Sequence, residues 1–166
     1  MDLYRTLRVQ SVTDEKQQPL SFIQEDKNDD ANFWVILPRA LGLGEKYSIT
    51  TIYDGKDAVE NKGSGNYHPL ARENWYPSNV AGGLGQYVAY DMTFRIPKGM
   101  KMAATGVLVS HSNDGGQDVT VWKSVVPQTL AGFNFGRFIV EEAKLNSPDY
   151  LVQAYVNEEP PDDIKQ

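Results

Sequence analysis

Apolar and polar residues alternate along most of this chain with a period of two. In YVAYDMTFRI (87–96), Val88, Tyr90, Met92, Phe94 and Ile96 fall on one face, and Ala89, Asp91, Thr93 and Arg95 on the other. Successive side chains of a strand point to opposite faces, so this run predicts a half-buried antiparallel strand. KYSITTIYDG places Tyr47, Ile49, Thr51 and Tyr53 at even spacing, and DVTVWKSVV is rich in the β-branched and aromatic residues that strands favour. NFWVIL is apolar without a break, which predicts a strand covered on both faces.

Turn signals separate these runs: DEKQQ, EDKNDD, YDGKD, PKGM and SNDGGQD. The last lies between ATGVLVS and VTVWKS and predicts a hairpin loop. The pattern predicts about nine strands. They are Leu3–Val12, Leu20–Glu25, Phe33–Leu37, Lys46–Tyr53, Gln86–Ile96, Met102–Ser110, Val119–Ser124, Gly132–Val140 and Tyr150–Val156. PRALGL and VEEAKL could each form a turn or two of helix, and nothing sustains a longer helical period. The expected class is all-β, an antiparallel sandwich or saddle with little or no helix. GKDAVENKGSGNYHPL (55–70) is the longest stretch without a strand signal and is expected to be a loop. The acidic, proline-containing NEEPPDDIKQ (157–166) is expected to be a linker or tail.

Composition narrows the function. The 166 residues suit one domain, and a net charge of −6 argues against a nucleic-acid-binding face. No apolar run approaches the roughly 18 residues of a membrane-spanning helix. With no cysteine, neither a disulfide nor a thiolate metal site is possible. The two histidines, His68 and His111, stand outside any H-E-x-x-H pattern and read as partly exposed loop residues. A Ser64–His68 esterase pair lacks the strand–turn–helix elbow that presents a nucleophile. GLGQYV lacks the third glycine and the following helix of a dinucleotide fingerprint. Asp29–Asp30 and Glu141–Glu142 read as solvated charges. No catalytic residue or metal site is therefore expected. Of the three tryptophans, Trp34 and Trp122 are expected to pack in the core or against a sheet. Trp75 sits in ARENWYPSN, where bulky, stiff residues occupy what should be a turn.

Several segments in order resemble the N-terminal β-domain of aminopeptidase N-type zinc metallopeptidases, the gluzincins. The matching residues are Ala71-Arg72, Trp75-Tyr76-Pro77, the strand from Asp91 to Pro97-Lys98-Gly99, and Ala104-Thr105-Gly106. Trp122, Pro127, Ala131, Gly132, Phe133 and Phe138 follow. The resemblance spans about residues 1–156 and is closest to divergent bacterial members of the family. It implies a non-catalytic domain, lacking its first strands, that shapes the substrate entrance of a catalytic domain carried by the same parent polypeptide. Zinc and its H-E-x-x-H ligands would belong to that other domain, where a zinc-activated water attacks a peptide carbonyl.

In the family a Gln or Glu about five residues before the position matched by Arg72 meets the substrate amine. Here that spacing falls on Tyr67, flanked by Asn66 and His68, so these three are the cleft candidates and a peptide substrate is the implied ligand. The resemblance further implies that residues 60–68 gain their order from the catalytic domain. Arg72, Trp75, Tyr76 and Pro77 are read as a structural corner, with Pro77 fixing φ where no ladder bond is needed. The alternative, from the aromatic content alone, is a free-standing module binding carbohydrate or peptide.

Overall fold

Most of the alternating runs become strand, although the run expected over Gln86–Ile96 is strand only from Asp91 and that expected over Leu3–Val12 only from Leu7. The computed structural model holds no helix among the residues it describes, 1–70, 74–79, 87–144 and 151–158. Those residues form thirteen strands in two units.

The first unit comprises Met1–Val59 and Pro69–Gln86. In it β1 (Leu7–Asp14) pairs antiparallel with β4 (Ile49–Gly55), and β2 (Phe22–Gln24) with β3 (Phe33–Val35). The core gathers Leu3, Leu7, Val9, Val12, Phe33 and Ala58. Strict alternation would have turned Ser11 inward after Leu7 and Val9. The register instead skips between Val9 and Ser11, and this bulge resets the pattern so that Val12 is buried. Gln24 satisfies the backbone freed there. Its Oε1 accepts the Val9 N–H (2.9 Å), and its Nε2 donates to the carbonyls of Leu7 (3.2 Å) and Ala31 (3.3 Å).

The apolar run NFWVIL is not covered on both faces. Phe33 is fully buried, but Trp34 is 47% exposed and Ile36 53% exposed. Two strands provide one layer, and the core fills only one side of it. PRALGL forms bends and turns rather than a helical turn, and β4 starts at Ile49 rather than Lys46. The segment between is closed by the Arg39 guanidinium, which grips the Glu45 carboxylate, while the Gly42 N–H donates to the same group (2.8 Å). These bonds, with Arg39 first, lower the Glu45 pKa to about 2.

The second unit comprises Glu60–His68 and Tyr87–Gln166. Its sheets run β7-β10-β9, β5-β6-β11-β8 and β12-β13. The members are β5 (Val59–Asn61), β6 (Asn66–Pro69), β7 (Asp91–Pro97), β8 (Lys101–Ala104), β9 (Val107–Asp114), β10 (Gln117–Lys123), β11 (Phe133–Gly136), β12 (Ile139–Lys144) and β13 (Leu151–Val156). Ile96, Met102 and Trp122 form the core, flanked by Met92, Phe94, Phe133 and Phe135.

The thirteen strands of the described residues exceed the nine expected by four. Met102–Ser110 is two strands, β8 pairing with β11 and β9 with β10. The break falls at Gly106, whose φ is +98° and where a Cβ would sit 2.1 Å from the Lys123 carbonyl oxygen. Gly132–Val140 likewise divides into β11 and β12. Val140–Lys144 of VEEAKL lie in β12, not in a helix, and Leu145 lies outside the described residues. The expected loop at 55–70 contains β5 and β6, both too short and too mixed in composition to show a period. SNDGGQD does close a hairpin, with Gly115 and Gly116 both at positive φ between β9 and β10. Residues 159–166 of the expected tail lie outside the described residues.

Candidate functional site

The three cleft candidates are strand residues, not loop residues, and the strand separates them. Asn66, Tyr67 and His68 lie on β6, which follows β5 after the turn at Lys62–Gly65. The Lys62 N–H donates to the Asn66 carbonyl (2.8 Å) and the Asn66 N–H to that of Gly63 (2.9 Å). Across the sheet, β11 pairs Phe135 with Tyr67 and Gly136 with Asn66. A Cβ at Gly136 would stand 2.7 Å from the Gly65 carbonyl oxygen, so glycine lets β11 come this close to the turn.

Alternation puts Tyr67 on one face of the sheet and Asn66 with His68 on the other. The Tyr67 ring stacks on Phe135 at 4.9 Å and 8° between planes. Phe135 in turn lies 6.3 Å from Phe133, and Phe133 lies 5.2 Å from Phe94. Tyr67 is thus the end of an aromatic row continuous with the core of this unit. On the opposite face, Glu60 Oε2 lies 2.6 Å from Lys62 Nζ and 4.0 Å from His68 Nε2. Glu60 and Lys62 were not anticipated from the sequence. Their signal is the E-x-K spacing, which puts both on one face of β5 and its turn, but it is visible only once β5 is known to be a strand.

His111 also lies on a strand, β9. Its Nε2 is 2.9 Å from Oδ1 of Asp118, a buried carboxylate that also accepts from Asn113 Nδ2 (3.1 Å) and the Gly99 N–H (2.7 Å). The His111 bond first, and the Gly99 amide next, hold the Asp118 pKa below its ordinary value. An oriented His–Asp pair is two-thirds of a hydrolytic triad. However, Ser110 and Ser112 alternate onto the face opposite His111, so neither serine of β9 can give it a proton. The work visible here is structural, because Asp118 ties the PKGM turn to the β9–β10 hairpin.

The WYP corner is bound into the first unit. Asp2 and Ser78 exchange backbone bonds (2.7 and 3.0 Å), and the Tyr4 N–H donates to the Asn74 carbonyl (2.8 Å). The Tyr53 hydroxyl donates to the Trp75 carbonyl (3.0 Å), and burial raises its pKa. Trp75 and Tyr76 meet edge to face at 4.9 Å. Arg72 lies outside the described residues.

Zinc does not fit the described residues of this chain. Among the described residues no group of three or more His, Cys, Asp or Glu side chains could hold a metal ion. The two histidines face separate carboxylates, Glu60 and Asp118, on different sheets.

No family model matches the sequence, and no curated protein matches it. Solved structures do. The M1 zinc metallopeptidase of Deinococcus radiodurans superposes with a TM-score of 0.72 at 20% identity, over 92% of this chain and 37% of that one. The fold is that of part of an M1 zinc metallopeptidase. A two-domain M1 zinc metallopeptidase variant bound to L-arginine matches with a TM-score of 0.71 at 19% identity, over 92% of this chain and 38% of its own. The Deinococcus radiodurans variant bound to a Tyr-Ser-Ala substrate gives 0.71 at 18% identity, over 92% and 37%. The chain therefore spans well under half the length of the enzymes it matches. M1 enzymes are the aminopeptidase N family, so the resemblance drawn from the motifs holds at the level of the fold.

Several of the motif residues that carried the resemblance serve the fold. Gly99 bonds Asp118, and Gly106 occupies a place only glycine fits. Thr105 N–H donates to the Gly132 carbonyl (2.9 Å), while the Gly132 N–H donates to Thr105 Oγ1 (2.9 Å). Trp122 and Ala131 are buried. They report architecture, and they are silent about chemistry.

Proposed function

We propose that this chain is a non-catalytic domain of an M1-like zinc metallopeptidase, where it shapes the peptide entrance of a catalytic domain in the same polypeptide. The observation that carries this reading is the asymmetry of coverage: 92% of this chain matches only 37% of an M1 enzyme. Zinc and the water it activates would belong to the remainder. In this chain, the β5–β6 hairpin is the candidate wall of the entrance, with Tyr67 on one face and Glu60, Lys62 and His68 on the other. Tyr67 cannot meet a substrate ammonium as a carboxylate does, and its stacking on Phe135 holds the ring in place. Only one face of β6 can line an entrance, so the aromatic and the charged residues would not act together on one ligand.

Two measurements test the reading. The reading frame that encodes this chain should continue into an H-E-x-x-H segment. The isolated chain, after dialysis, should hold no stoichiometric zinc and should not hydrolyse aminoacyl substrates. One tightly held zinc per chain, or a reading frame with no metal motif, would overturn the proposal.

A further inference from the structure

The outer face of the β2–β3 pair is apolar and exposed among the described residues. Ile23 and Trp34 lie directly opposite one another across the two strands, and Ile36 follows Trp34 on the same face. Their exposures are 53%, 47% and 53%. Gln24, Phe33 and Val35 point the other way, into the bulge of β1 and the core. A strand rich in large apolar residues on both faces is built to be covered on both, and among the described residues one face is left half-exposed. Exposed tryptophan between two β-branched side chains is also the composition of an interface centre.

The rim of this pad supplies the sign of its partner. Glu25 continues the outward row of β2 beyond Ile23, and the connection to β3 adds Asp26, Asp29 and Asp30. Two cations stand against these four carboxylates, Lys27 and Arg8, whose guanidinium donates to the Glu25 carbonyl. Glu25, Asp26 and Asp29 are exposed. Asp26 and Asp30 also cap the turn, accepting the Asn28 N–H (3.0 Å) and the Asn32 N–H (2.8 Å), which holds this acidic end in one conformation. The whole chain carries a net charge of −6, so its long-range field favours a cationic partner as well.

We propose that this face docks a peptide segment that carries lysine or arginine beside large apolar side chains. The apolar residues would cover Ile23, Trp34 and Ile36, and the cations would meet the carboxylates of the β2–β3 connection. Other occupants fit less well. A second copy would bring an equally acidic rim, and an anionic lipid surface would be repelled by it. A sugar stacked on Trp34 would need fixed hydrogen-bonding groups beside the ring, where Ile23 and Ile36 provide none. The pad is small, so the complex would be weak and transient. This inference does not rest on the metallopeptidase reading, but a parent polypeptide whose catalytic domain covers Trp34 would overturn it.

A short fluorescein-labelled peptide of alternating lysine and leucine, titrated with the full chain and followed by anisotropy, tests the proposal. A glutamate–leucine counterpart is the control. The lysine peptide should bind, and about 0.5 M salt should weaken it severalfold. Trp34→Ala should weaken it about tenfold, as expected of a central aromatic. Glu25→Gln with Asp29→Asn, neither of which removes a side-chain bond holding the turn, should also weaken it severalfold while leaving the melting temperature unchanged. Absence of binding would overturn the proposal, as would equal binding of the glutamate peptide or an affinity indifferent to Trp34→Ala. Concentration-dependent dimerisation lost in Trp34→Ala would assign the face to a second copy. Binding of oligosaccharides or phosphatidylserine vesicles that is lost in the same variant would assign it to those, and either result sinks the peptide.

Discussion

Trp34 and Trp122 stand in similar company, each in a strand among β-branched or aromatic neighbours, yet one is 47% exposed and the other 6%. Trp122 lies on β10, the central strand of β7-β10-β9, on the same face as the buried Thr120 and Asp118. Trp34 lies on β3, in a pair that has a core on one side only. The difference lies not in either strand's own sequence but in the number of layers the rest of the chain supplies to each. An apolar side chain is stabilised by burial only where a second layer exists to bury it.

The largest test of this contrast is truncation. Trp122→Ala should cost roughly 3–5 kcal/mol in chemical denaturation, as for other buried aromatics, whereas Trp34→Ala should cost less than about 1 kcal/mol. Comparable losses would mean that Trp34 is covered and would remove the basis for a docking face.

Two glycines of the motif pair offer the next test. Gly106→Ala drives a Cβ to 2.1 Å from backbone and demands positive φ of an L-residue, so it should cost about 2 kcal/mol or more. Gly132 has nothing within 4 Å of an added Cβ and no positive φ. Gly132→Ala should stay within about 0.5 kcal/mol. If the two variants melt alike, the strand break at Gly106 is not enforced by sterics.

Acid titration separates the two units by a smaller effect. The Asp118 pKa is lowered in the folded chain from an ordinary 3.8, by His111 and the Gly99 amide. Below 3.8 the unfolded chain takes up the proton first, so stability contributed by this group is present above that pH and is lost as pH falls through the folded pKa. Asp118→Asn should therefore flatten the acid limb of the stability curve in the second unit. An unchanged limb would show that the buried carboxylate is not ionised in the way its partners require. Glu45, lowered to about 2 by Arg39, acts in the same direction in the first unit, but its exposed position leaves it screened.

The subtlest test concerns the hairpin read from sequence as a loop. The amides of Lys62 and Asn66, bonded to the Asn66 and Gly63 carbonyls, should exchange more slowly than that of Leu43 in the exposed connection before β4. Equally fast exchange would return residues 60–68 to the status of a loop that needs a partner for its order.

The sequence by itself determined the all-β class, the side-chain partition of β4 and β7, and the β9–β10 hairpin at its two glycines. Each is a local property, set by a period of two or by a backbone angle only glycine adopts readily. It also carried a motif order specific enough to point to the M1 fold, because those residues are the ones that close turns and fill the core. What only the tertiary structure decided is everything that depends on a second layer. Alternation tells which residues share a face, not which face is buried, so Trp34 and Trp122 could not be told apart. The bulge after Val9 and the sheet change at Gly106 answer to contacts with Gln24 and Lys123, distant in the chain. The site candidates suffered most. Adjacent in sequence, Tyr67 and His68 were read together, but once β6 forms, consecutive side chains must point apart, and each joins neighbours that no local pattern could name.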